Sequence, residues 1–145
     1  MTVTLAQMVS AARAEVSELP LADARERLDQ AAFSMVLDVR EPGEYADGHI
    51  PDAINVPRDL LEIRADPASP AHDQHLIADR SAPILVYCTK GPGARSLLAA
   101  QTLTNMGYER VDVLDGGLIA WAEAGLPVER APNPAGRLTR PRSSE

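Results

Sequence analysis

The sequence predicts an α/β domain built on a central parallel β-sheet with helices on both faces. Three observations predict it. Short apolar runs alternate with helical patterns, the order that a parallel sheet with crossover helices requires. Two of those runs, Met35-Val36-Leu37 and Ile84-Leu85-Val86-Tyr87, are apolar on successive residues, as strands buried on both faces are. The chain has 145 residues, 45% hydrophobic and 24% charged, the size and mix of one globular domain.

The elements follow in order. Leu5, Met8, Val9, Ala12 and Val16 recur at helical spacing, with Thr4 and Gln7 placed as a capping box. This amphipathic helix defines an N-terminal segment, residues 1–19, closed by Pro20. A second helix over 21–30 turns Leu21, Ala24 and Leu28 inward. The strand at Met35 leads through Asp38-Val39-Arg40 into a turn at Glu41-Pro42-Gly43, then one helical turn holding Glu44 and Tyr45. Ile54-Asn55-Val56 is a short strand stopped by Pro57, and a short helix covers 59–64. Residues 65–82 are polar, contain Pro67 and Pro70, and read as a surface connection. The strand ending at Tyr87 runs into Cys88 and a glycine-rich turn. A helix over 94–106 follows, with Leu98, Ala99, Leu103 and Met106 inward and Gly107 at its end. Val111 to Leu114 is a strand, and Gly116-Gly117 opens a last helix holding Trp121. The main domain spans residues 20–129. Residues 130–145 hold three prolines and four arginines with almost no large apolar side chain, the composition of a disordered tail.

Charge and rare residues narrow the function. A net charge of −7 disfavours nucleic-acid binding, which calls for a basic excess. No apolar stretch approaches the ~20 residues of a membrane span, and the acidic first thirty residues carry no secretory signal. A cytoplasmic location is expected. One cysteine, Cys88, excludes an internal disulfide, a multi-thiolate zinc site and a two-cysteine redox motif. The one lysine, Lys90, sits two positions away, although the other basic residues are all arginine.

Cys88 stands at the carboxyl end of a buried strand, where open parallel sheets bind ligands. The loop Thr89-Lys90-Gly91-Pro92-Gly93-Ala94-Arg95 can curl its amides around a point in front of the sulfur, although Pro92 has none to give. The following helix adds the positive end of its dipole, and Lys90 and Arg95 add full charges. All of these favour an anion, so the pattern predicts a reactive thiol drawn toward thiolate rather than an inert core cysteine. No metal or organic cofactor is expected.

With these residues in view, the sequence resembles the single-domain rhodaneses. Three blocks carry the resemblance: LDVREPGEYADGHIPDAINVP, ILVYCTKGPGARSLLAAQTLTNMGY and LDGGLIAWAEAGLPVE. Asp52 stands where that family usually has glycine, and Leu118 where it often has an aromatic residue. The resemblance implies a rhodanese-like α/β fold and a sulfurtransferase. Cys88 would take a sulfane sulfur from thiosulfate or a similar small anionic donor. It would hold that sulfur as a persulfide and pass it to cyanide or a thiol, including a protein thiol. Residues 89–95 would cradle the persulfide, Asp38, Arg40 and Glu44 would support the site, and His49 would be structural. Arg95 is seven positions after Cys88, two more than in the common rhodanese loop and one more than in cell-division-cycle phosphatases of the same fold.

Two alternatives stand beside this reading. One is a phosphatase that forms a phosphocysteine at Cys88, with Arg95 clamping the phosphate. It has Tyr87 where those phosphatases have histidine. The other is a non-catalytic binding or regulatory module. Remaining features have plain readings: His72 and His75 as surface histidines rather than a metal pair, the tail arginines as solvated, Trp121 as core, and the face from Leu5 to Val16 as packed on the domain.

Overall fold

A computed structural model of the protein describes residues 2–91 and 93–130. A single five-stranded sheet organises it. The strands are β1 (Ser17–Leu19), β2 (Met35–Asp38), β3 (Ile54–Asn55), β4 (Ile84–Tyr87) and β5 (Val111–Leu114). Their order is β1-β5-β4-β2-β3 and every pairing is parallel. β4 is the middle strand, paired on both sides, and all four of its residues are buried. That placement explains its unbroken apolar run.

Among the described residues, seven α-helices and a 3-10 helix at Arg58–Leu60 surround the sheet: α1 (Leu5–Glu15), α2 (Leu21–Asp29), α3 (Pro42–Asp47), α4 (Leu61–Ala65), α5 (Gln74–Ile77), α6 (Ala94–Asn105) and α7 (Gly117–Glu123). Alternate strand residues feed opposite cores. Leu37, Ile84, Val86 and Cys88 pack with Leu61, Leu76, Ala99, Leu103 and Tyr108 on one face. Val36, Leu85 and Tyr87 pack with Ala24, Ile50 and Trp121 on the other. The fold class is therefore as the sequence predicts.

Three local features differ from the sequence expectation. Residues 17–19, which carry no strand pattern, form β1 at the sheet edge beside β5. The 65–82 connection contains α5, started by Asp73, whose carboxylate accepts from the His75 and Leu76 amides, and Leu76 is buried. On α6 the fully buried residues include Leu97 and Ala100, while Leu98 is only half-buried. The reason is that α1 lies against α6 and covers a second side of it, through Ala12, Val9 and Val16. Thr4 and Gln7 do form the capping box. The disordered tail is expected over residues 130–145, of which 131–145 lie outside the described residues. No helix among the described residues is long and apolar enough to cross a membrane.

Candidate active site

Cys88 follows β4 directly and is 4% exposed, with its sulfur at the floor of a cleft. The cleft has a volume of about 310 Å³ and is lined by Glu44, Cys88, Thr89, Lys90, Gly93, Ala94 and Arg95. The loop after Cys88 leads into α6, whose first amides have no earlier carbonyl in the helix to bond. Pro92 lies outside the described residues. A Cβ on Gly91 would lie 3.2 Å from the Gly116 amide nitrogen.

Two features hold the loop. At the N-terminus of α7, the Leu118 amide donates to the Cys88 carbonyl at 3.0 Å and the Ile119 amide to the Thr89 carbonyl at 2.9 Å. Gly117 makes this approach by adopting φ +59, and a Cβ there would lie 2.6 Å from the Cys88 carbonyl oxygen. The Gly116-Gly117 turn therefore clamps the active-site loop as well as starting a helix.

The second feature is an ion pair at the cleft wall. Arg95 Nη1 donates to Glu44 Oε1 at 2.7 Å, and Nη2 to Glu44 Oε2 at 3.3 Å and to Thr89 Oγ1 at 3.0 Å. Glu44 reaches this point because the capping box at the start of α3 fixes it, with Oε1 also accepting from the Glu41 amide. The Arg95 hydrogen bonds hold the Glu44 carboxyl down at about 2, and Glu44 in turn raises the Arg95 guanidinium above its ordinary value. Lys90 is exposed at the rim and has no ion pair with another described residue.

Sequence reasoning missed Ser96. Its Oγ lies 3.2 Å from Cys88 Sγ and donates to the Gly93 carbonyl at 3.1 Å, and the residue is 1% exposed. Side chains in a helix lean toward its N-terminus, which carries a hydroxyl in the first turn of α6 back to the sulfur. A serine just past the loop was the available signal. Gly93 leaves room for this contact, since a Cβ there would stand 2.4 Å from Ser96 Oγ and 2.7 Å from Cys88 Sγ.

The remaining supporting residues divide. Glu44 touches the loop. Asp38 and Arg40 instead form a buried bidentate pair, with Arg40 Nη2 to Asp38 Oδ2 at 2.8 Å and to the Gly48 carbonyl at 2.6 Å. Tyr87, also unmarked by the sequence, donates its hydroxyl to Asp38 Oδ2 at 2.6 Å and accepts from the Ile50 amide at 3.1 Å. Burial first, then the Asp38 carboxylate, push the Tyr87 hydroxyl well above the ordinary tyrosine range. Among the described residues, no hydrogen bond of Asp38 or Arg40 reaches residues 88–95, so this cluster ties β2 and β4 to the 48–50 segment. His49 lies apart from the cleft. It stacks on Tyr45 at 3.8 Å, donates from Nδ1 to the Tyr45 carbonyl, and exchanges backbone hydrogen bonds with Glu129. His72 bonds the Ser69 carbonyl and the His75 side chain is 82% exposed, so the two do not converge on a site.

The comparisons with known proteins agree with this architecture. The family model for the rhodanese-like domain matches residues 20–124. A protein named sulfurtransferase from Allochromatium vinosum is 37% identical over 113 residues, which is 78% of this chain and 94% of that protein. Three other relatives are longer, and the chain spans 54–64% of their length. Among solved structures, a Rhodopseudomonas palustris protein of unknown function, described as a possible tyrosine phosphatase, superposes with TM-score 0.79 and 34% identity. That match covers 89% of this chain and 96% of that one. The human single-domain sulfurtransferase superposes with TM-score 0.64 and 27% identity over 74% of this chain and 96% of that one. The chain belongs to the rhodanese-like family.

Proposed function

We propose that the protein is a sulfurtransferase that works through a persulfide on Cys88. The observation that carries this reading is that Cys88 lines a cleft together with Lys90 and the first residues of α6. In the first half-reaction the Cys88 thiolate attacks the outer sulfur of thiosulfate. The new bond joins Sγ to that sulfur, the sulfur–sulfur bond of thiosulfate breaks, and sulfite leaves with the electron pair. In the second, cyanide or a thiolate attacks the outer sulfur of the persulfide. The persulfide bond breaks and the pair returns to Sγ, giving thiocyanate or a new persulfide. Lys90 draws in the anionic donor, and Glu44 with Arg95 keeps the loop in shape. A lone free thiol suits the reducing cytoplasm.

The likeness to the possible phosphatase raises the other chemistry that this fold can hold. Transfer of phosphate to Cys88 needs a guanidinium free to grip phosphate and an acid to protonate the departing oxygen. Arg95 is already engaged by Glu44 and Thr89. Glu44 is the one carboxylate in the cleft lining among the described residues, and with its pKa at about 2 it holds no proton near neutrality. These observations favour sulfur over phosphate.

The test is intact mass after incubation with thiosulfate. The native protein gains the mass of one sulfur atom and loses it to cyanide, and Cys88→Ser gains none. A native protein that gains no mass while hydrolysing an aryl phosphate would overturn the proposal.

A further inference from the structure

We propose that Ser96 is a catalytic hydroxyl that reverses its hydrogen bond with the charge on Cys88. It accepts from the sulfur in the thiol state and donates to it in the thiolate state. The inference rests on the sulfurtransferase reading for its place in turnover, and on geometry alone for its existence. Ser96 Oγ is buried between two partners, Cys88 Sγ at 3.2 Å and the Gly93 carbonyl at 3.1 Å.

A hydroxyl has one proton to give. With Cys88 protonated, the thiol donates to Ser96 and Ser96 donates to Gly93. With Cys88 ionised, the sulfur can only accept, and the hydroxyl turns to it. The turn leaves no orphan behind, because the Gly93 carbonyl also accepts from the Leu97 amide at 2.8 Å. A carbonyl that keeps one partner loses little when the second leaves. A buried sulfur that gains a donor as it becomes charged gains a charge-assisted bond.

The reversal acts where negative charge appears on Sγ. During discharge the acceptor's electron pair forms a bond to the outer sulfur, the persulfide bond breaks, and its pair moves onto Sγ. Ser96 donates to the sulfur as that charge develops. During loading the charge leaves Sγ and the hydroxyl returns to Gly93.

Two readouts test this. In Ser96→Ala, single-turnover discharge of preloaded persulfide to cyanide falls about tenfold or more, the loss expected for a hydrogen bond to a charged group. Alkylation of Cys88 by iodoacetamide slows at neutral pH, and its rate profile moves to higher pH. Ser96→Thr, which keeps the hydroxyl, retains both rates. Cys88 is the one cysteine in the chain, so the Raman S–H stretch reports its thiol alone. The nearer acceptor is Ser96 Oγ at 3.2 Å, with the Lys90 carbonyl at 3.9 Å, and the native band lies below that of an unbonded thiol and rises in Ser96→Ala. A folded Ser96→Ala with native discharge and alkylation rates would overturn the proposal. If that variant does not fold, a native S–H band at the unbonded position overturns it. The alkylation and Raman arms need no sulfur donor, so they decide on Ser96 even if thiosulfate loads nothing and the sulfurtransferase reading fails.

Discussion

Arg95 and Glu44 close a two-point ion pair at the rim of the cleft, with Nη1–Oε1 at 2.7 Å and Nη2–Oε2 at 3.3 Å. The pair joins the first turn of α6 to α3, and the Thr89 hydroxyl completes a triangle with it. Arg95 thus stiffens the loop through its neighbours.

Glu44→Gln keeps the shape of the side chain and removes its charge. Both partners are 38% exposed, so solvent screens the pair and its net worth at pH 7 is about 1 kcal/mol or less. The Glu44 carboxyl is lowered from its ordinary 4.5 to about 2 in the folded protein. Its contribution is therefore complete above pH 4.5 and is lost as pH falls through about 2. Urea unfolding at pH 7 is expected to show the variant as the less stable, with the gap narrowing as pH approaches 2. A gap that stays constant over that range would show that the carboxylate's charge is not what stabilises the loop.

Lys90 is an exposed cation at the rim and is unpaired with any described residue. Its field is screened within about 10 Å in ordinary buffer, so it acts on the approach and binding of an anion more than on the bond-making step. Lys90→Ala is expected to raise the KM for thiosulfate about two- to fivefold with a smaller change in kcat. Steady-state kinetics at rising salt checks this, because the native enzyme converges on the variant as ions screen the charge. A salt-independent difference would assign Lys90 another role.

Much of this site was legible in the sequence because its signals are local. A buried run ending in cysteine, a glycine-rich turn and a following helix lie within one stretch, and each has its own residue pattern. What escaped depends on partners far along the chain. Tyr87 reads as one more apolar strand residue, yet its hydroxyl lies between Asp38 and Ile50, 49 and 37 positions away. β1 has three residues and no alternation of its own, and becomes a strand because β5 offers it an edge. Burial of Leu97 and Ala100 depends on α1 arriving from the far end of the sequence. Asp38, Arg40 and Glu44 stand close together in the sequence, but the fold directs the first two to the 48–50 segment and only the third to the cleft.

Asp52 shows a sequence departure acquiring a physical meaning. It is exposed and adopts φ +68, the left-handed region that favours glycine. An ordinary side chain there costs roughly 1–2 kcal/mol, and a glycine returns part of that through a more flexible unfolded chain. Asp52→Gly is expected to stabilise the fold by about 0.5–1 kcal/mol and to leave sulfur loading unchanged. Denaturant unfolding midpoints of the two proteins measure it. A destabilised variant would mean that the Asp52 side chain contributes more than its backbone strain takes away.

Gly93 gives the sharpest steric prediction. Its φ of −80 is open to any residue, so the requirement for glycine is one of space alone. A Cβ would stand 2.4 Å from Ser96 Oγ, 2.7 Å from Cys88 Sγ and 3.3 Å from the Lys90 carbonyl. Neither of the first two can retreat easily, since both are buried against the sheet and α6. Gly93→Ala is expected to cost about 1–3 kcal/mol of stability, as overpacking does. It also forces Ser96 and Cys88 apart, and so slows sulfur discharge as strongly as Ser96→Ala. Gly43→Ala in α3 is the matched control, because nothing lies within 4 Å of its added methyl. There the exchange is expected to be neutral or to stabilise the helix by up to about 1 kcal/mol. Thermal unfolding and single-turnover discharge, run on both variants, separate loss of space at the sulfur from the general effect of replacing a glycine. Equal behaviour of the two variants would show that the sulfur and Ser96 do not need the gap that Gly93 leaves.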